Sequence, residues 1–116
     1  MSNFISLDTA KQMTALYRLE KDKLLVPGVS KDILAKCETL DGAQVSTVLG
    51  QPGCVNLRIY YGMDTEKKIH AIVVGVDAND EDMLPASPTE KANSNIIEEG
   101  IRCPTLCPPA SPLNSD

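Results

Sequence analysis

The sequence predicts an α+β fold: a small antiparallel sheet built on one hairpin, covered by an N-terminal helix and a short second helix. Three observations carry this expectation. In residues 54–61 Val55, Leu57, Ile59 and Tyr61 alternate with Asn56, Arg58 and Tyr60, the period of a strand with one wet face. Residues 69–76, I-H-A-I-V-V-G-V, are apolar at nearly every position and mostly β-branched, as in a strand covered on both sides. In residues 6–23, Leu7, Ala10, Met13, Leu16 and Tyr17 recur at steps of three and four, which draws one apolar stripe on a helix.

The helix has its own start and stop signals. Ser6 is a suitable N-cap and Asp8 sits where the positive end of the helix dipole favours a carboxylate, while Arg18, Lys21 and Lys23 gather at the other end. Its stripe is expected to pack on the face carrying Val55, Leu57 and Ile59. Pro27-Gly28 is the pair that a type II turn requires. Residues 33–38 alternate as an edge strand, although Ser30 also suits the cap of a short helix, and the strand is the reading adopted. Asp41 and Gln44 resemble a capping box, and Leu40 with Val45 has the spacing of a hydrophobic staple. Gly50 and Pro52 end that second helix. The two strands then follow across residues 62–68, a polar stretch with one glycine. The register expected sets Tyr61 against Ile69, Ile59 against Ala71 and Leu57 against Val73.

Three regions are expected: an α+β domain over residues 1–76, an acidic and polar linker over 77–95, and a Pro/Cys-rich tail over 96–116. The linker has too few apolar residues to offset the cost of ordering it.

Composition narrows the function classes. The chain has 116 residues, 42% of them hydrophobic but only 3% aromatic, so its core is built of small aliphatic side chains. A net charge of −5 and a pI near 4.8 argue against nucleic acid, which needs a basic surface. No apolar run approaches the ~18–20 residues that cross a bilayer, and the N-terminus lacks the basic start and apolar core of a signal peptide. A cytoplasmic protein with reduced thiols is therefore expected, with no membrane partner.

Motifs for chemistry are sparse. His70 is the only histidine, and no spacing joins it to a nucleophile and an orienting acid, so it reads as a cross-strand packing residue. The acidic run from Asp77 fails as a calcium loop, because position six is Asp82 and position twelve is Pro88. No phosphate-binding glycine pattern occurs. A non-enzymatic protein without a cofactor is the expectation. The C-terminal segment is the most distinctive. Cys103 and Cys107 are each followed by proline (Pro104, Pro108), and Pro109 and Pro112 extend the stiff stretch that peptide ligands use in aromatic grooves. Cys103, Pro104, Cys107, Pro108 and Pro109 are the candidate binding residues. The two thiols are expected to be accessible, and Cys37 and Cys54 to be shielded in the core. Cys103 and Cys107 also make half of a zinc site, a haem-iron ligand before proline, or a thiol–disulfide pair.

The runs L-R-I-Y-Y-G-M-D, H-A-I-V-V-G-V, E-D-M-L-P and R-C-P-T-L-C-P-P-A-S-P-L-N-S resemble a family of small uncharacterised bacterial proteins with a Cys-Pro tail. The resemblance covers nearly the whole chain and implies that hairpin and tail belong to one protein. It brings no activity and no site residue. The function expected is a non-catalytic module that binds a protein partner through its tail, with a homo-oligomer left open. A metal-binding or thiol-redox protein using Cys103 and Cys107 is the alternative. A leader-plus-core precursor of a modified peptide is a further one.

Overall fold

The computed structural model describes residues 3–89, 94–98, 101–103 and 106–115. Its elements are α1 (Leu7–Glu20), β1 (Cys37–Thr39), α2 (Gly42–Leu49), β2 (Cys54–Met63), β3 (Ile69–Asp77), β4 (Asp82–Met83), β5 (Ile97–Glu98) and β6 (Ile101–Cys103). The fold is α+β with antiparallel strands. The chain forms two compact units, one of Met1–Cys37 with Arg102–Asp116, the other of Glu38–Ile101.

In the second unit β3 is the central strand. β2 flanks it on one side, while β4 and β5 pair with successive parts of the other. The register sets Met63 against Ile69, Tyr61 against Ala71, Ile59 against Val73 and Leu57 against Gly75. This corrects the expected pairing by two residues, and it corrects the face expected to be covered: Val55, Leu57, Ile59 and Tyr61 are exposed, whereas Arg58 is half-buried. The reason for the register lies in the turn. Asp64 Oδ1 accepts hydrogen bonds from the Glu66 and Lys68 amides at 2.8 and 3.0 Å, and the Asp64 amide donates to the Lys68 carbonyl at 3.0 Å. That carboxylate closes the loop within residues 64–68 and returns Gly62 and Met63 to the strand. Gly62 belongs there because a Cβ would sit 3.3 Å from Cγ1 of Ile72.

Helix α2 supplies the cover. Asp41 caps it by accepting from the Gln44 amide at 3.1 Å, and the Gly50 amide closes it on the Ser46 carbonyl at 2.8 Å. Val48 packs with Val73 and Ile97 to make the core, and Leu40 and Val45 lean on its margin. So Ile97, from the segment expected to be tail, is a core residue. The linker expectation is corrected over residues 77–83, while its residues 90–93 lie outside the described ones. Asp77 Oδ1 accepts from the Asn79 and Glu81 amides, and Asp80 takes a positive φ of 64°, so the acidic run is a tight turn that lays β4 beside β3.

Two residues of that acidic run then hold β2. Arg58 donates to Asp82 at 2.7 Å and pairs with Asp80, and the Tyr60 hydroxyl donates to Asp82 Oδ2. The Tyr60 hydrogen bond, followed by that of Arg58, draws the Asp82 carboxyl below its ordinary range. A depressed carboxyl stabilises the fold above its unfolded value near ~4, and that contribution disappears as pH falls through the folded value. Denaturation midpoints followed from pH 7 to 3 should fall more steeply for the parent than for Asp82→Asn. Parallel curves would show that Asp82 has no part in acid unfolding.

In the first unit Ser6 caps α1, accepting from the Thr9 amide at 3.1 Å, and a 3₁₀ turn over Lys21–Leu24 ends it. No side chain of α1 is buried. Its apolar stripe, expected to lie on the sheet, leaves Leu7, Met13 and Leu16 mostly exposed. Gly28 has the positive φ of 90° foreseen for the Pro27-Gly28 turn. Residues 33–38 are corrected to two pieces: a 3₁₀ turn over Lys31–Ile33, capped by Ser30 on the Asp32 amide, and then β1. β1 pairs with β6 in a two-stranded sheet. The expected division at residue 76 is thus not the one observed, because residues 102–116 belong with the N-terminal segment.

Candidate functional site at the disulfide-closed C-terminal segment

β6 delivers the site's first residue. Arg102 Nη2 donates to the Asp32 and Ile33 carbonyls at 2.9 and 3.1 Å, and the Lys36 amide donates to the Cys103 carbonyl at 2.7 Å. These bonds hold Cys103 in the unit's interior at 1% exposure. Its sulfur is bonded to that of Cys107, which stands exposed four residues on. The two cysteines are therefore neither free nor equally accessible, contrary to expectation. The free thiols are Cys37 and Cys54, both half-buried.

Beyond the disulfide the chain stays exposed but is held at its far end. The Asn114 side chain donates to the Pro109 carbonyl at 3.1 Å and accepts from the Ser111 amide at 2.9 Å. The Asn114 and Ser115 amides return to the Ser111 carbonyl at 3.2 and 3.1 Å. Arg18 of α1 donates to the Leu113 carbonyl at 2.8 Å. Two open hollows lie beside this turn. One of about 340 Å³ has Lys11 facing Ala110, Ser111 and Pro112, and one of about 510 Å³ is bordered by Arg18, Leu19, Lys36 and Asn114. Lys11 thus lies beside Pro112, and Arg18 and Lys36 border the Asn114 end of the segment.

Of the five expected binding residues, Cys103 and Cys107 are joined, Pro108 and Pro109 are exposed beside them, and Pro104 lies outside the described residues. As a disulfide, neither sulfur is the thiolate that a metal or haem iron takes, so the zinc and haem alternatives require reduction first. Among the described residues no three His, Cys, Asp or Glu side chains gather as a metal site. Nor is any helix among them long and apolar enough to cross a membrane.

Sequence reasoning missed a second arrangement, at the hairpin turn. His70 Nε2 lies 2.6 Å from Asp64 Oδ2, and its Nδ1 lies 3.9 Å from Glu98 Oε1. The His70 bond, then the Lys68 amide, hold the Asp64 carboxyl below its usual range. Gly62, Met63 and Ile72 complete a hollow of about 270 Å³. Among the described residues that lining holds no hydroxyl or thiol, and the histidine–carboxylate pair braces the turn. The signal was an aspartate just past the strand with histidine six residues on. No family model, curated protein or solved structure matches the chain.

Proposed function

We propose that the protein is a non-catalytic interaction module that presents residues 107–113 to a protein partner. One observation carries this reading. The segment is exposed along its length yet held at both ends, at Cys107 by the bond to buried Cys103 and at Leu113 by Arg18. Proline already restricts such a segment, and fixing its ends removes more of the ordering cost that binding otherwise meets. The cations Lys11, Arg18 and Lys36 border the same surface and favour a partner with acidic groups around an apolar or aromatic groove.

The test is quantitative capture from host extract with the full chain as bait. A protein retained by the parent should be lost with Pro108→Ser/Pro109→Ser and weakened at least tenfold with Arg18→Ala. Identical capture profiles for all three baits would rule the reading out.

The disulfide favours a second reading, thiol–disulfide exchange at Cys103 and Cys107. An incoming thiolate would attack the sulfur of Cys107, the exposed residue of the two, form a mixed disulfide there and release Cys103 as the thiolate. A cytoplasmic location, as the sequence suggests, accords with this transient use, whereas an oxidising compartment accords with a permanent clasp. Equilibration in glutathione buffers separates the two. A redox pair is half-reduced within roughly −320 to −180 mV, and a structural clasp stays oxidised there.

A further inference from the structure

The outer edge of β2 is a surface that the tail reading leaves unused. β2 spans ten residues and ends its sheet, with β3 on one side and, among the described residues, no strand on the other. Its backbone orientation follows from the neighbours. The Ala71 amide donates to the Glu38 carboxylate, away from β2, while the Asp64 amide donates to Lys68 across the ladder. In an antiparallel ladder these two states alternate. Leu57, Ile59, Tyr61 and Met63 therefore turn their N–H and C=O groups outward, and Arg58, Tyr60 and Gly62 turn theirs to β3.

The side chains of the outward set are apolar and exposed, from 38% at Leu57 to 79% at Tyr61. Open edges are usually guarded by lysine, proline or an inward-pointing charge. Between Cys54 and Met63 the only charge is Arg58, and it is already paired with Asp80 and Asp82. A bulge interrupts the strand only at its Cys54 end.

We infer that this edge pairs with the same edge of a second copy of the chain, β2 antiparallel to β2 about a two-fold axis at Tyr60. That axis sets Leu57 against the second copy's Met63 and Ile59 against its Tyr61, so all four outward residues find hydrogen-bonding partners. Every pair on that face is apolar, and Arg58 meets Gly62 instead of another cation. A chain of net charge −5 thus meets itself along its least charged strand. Edge pairing covers only part of the exposed side chains of Leu57, Ile59, Tyr61 and Met63, so the interface stays below the ~1,200 Å² of stable complexes and relies on the added main-chain hydrogen bonds. This geometry describes a reversible dimer, independent of the tail.

Sedimentation equilibrium of the full chain, from ~10 to ~500 μM, is the test. The expected mass rises from 12.5 kDa towards twice that value. Tyr61→Lys and, separately, Met63→Lys should raise the dissociation constant at least tenfold with the circular dichroism unchanged. Amide exchange read by NMR gives a check that needs no variant. The Leu57, Ile59, Tyr61 and Met63 amides should gain protection with concentration, while those of Arg58 and Tyr60 are protected throughout. A 12.5 kDa species over the whole range would overturn the inference, including the case in which the edge takes a strand from another protein. A dimer whose odd-numbered amides stay unprotected would overturn it as well.

Discussion

Val73→Ala is expected to lower the unfolding free energy by roughly 2–3 kcal/mol. Val73 is 1% exposed and lies between Val48 of α2 and Ile97 of β5, so it joins the helix to the central strand and to the late strand. Losing two buried carbons removes about 1.6 kcal/mol of transfer free energy, and the cavity that three separate elements cannot close adds the remainder. The measurement is a urea titration of dilute protein, in which the midpoint falls and the slope is unchanged. Leu57→Ala on the same face should cost less than half as much, because Leu57 lies on β2, at the sheet's edge, and keeps 38% of its surface in water. Equal losses at the two positions would mean that the core is not centred on β3.

A larger effect is expected at Gly75, where an added side chain has nowhere to go. A Cβ there would lie 2.9 Å from Cys54 Sγ, 3.0 Å from Gln51 Nε2 and 3.3 Å from Val48 Cγ1. Gln51 cannot yield cheaply, since its amide donates to the Val48 carbonyl at 2.8 Å and accepts from Asn95. Gly75→Val should therefore cost about 3 kcal/mol or more, at the upper end for an overpacked core. Gly75→Ala combined with Cys54→Ala should recover part of the loss, a coupling that a double-mutant cycle reads directly. If Gly75→Val melts with the parent, α2 does not sit over this part of the sheet.

These two positions also show how far the sequence could be read. The β-branched run at residues 69–76 identified the buried strand, whereas the alternation in residues 54–61 identified β2 as a strand but not its burial, since its apolar residues are exposed. The first signal is local, because burial on two faces leaves an unbroken apolar run in the chain, while what covers one face of an edge strand is decided by distant elements. The hairpin register escaped by two residues because the Asp64 carboxylate performs the work of backbone in the turn. Composition does not reveal which side chain will do so. β4 and β5 escaped for a different reason. Two-residue strands have no period, and their pairing is decided by where the Asp77 turn and the Ile97 side chain place them against β3. The disulfide was least legible. Cys-Pro-Thr-Leu-Cys permits a bond, a metal half-site or two free thiols, and the choice depends on how β6 is anchored by Arg102 and Lys36.

The two-unit division constrains the order in which a growing chain can acquire this structure. The unit containing α1 is assembled from the two extremities of the sequence, residues up to Cys37 and residues from Arg102 onward. Domains generally fold as units while synthesis proceeds at about 5–20 residues per second. Here the segment made first must wait, because Arg18 has no Leu113 carbonyl to hold, and Lys36 no Cys103 carbonyl, until everything between has been translated. The hairpin unit, contiguous from Glu38 to Ile101, has all its strands in hand earlier. The bonds that close the unit of α1 are therefore the last to become possible. A fusion or truncation placed after residue 101 strikes the helix at the opposite end of the sequence before it touches the sheet.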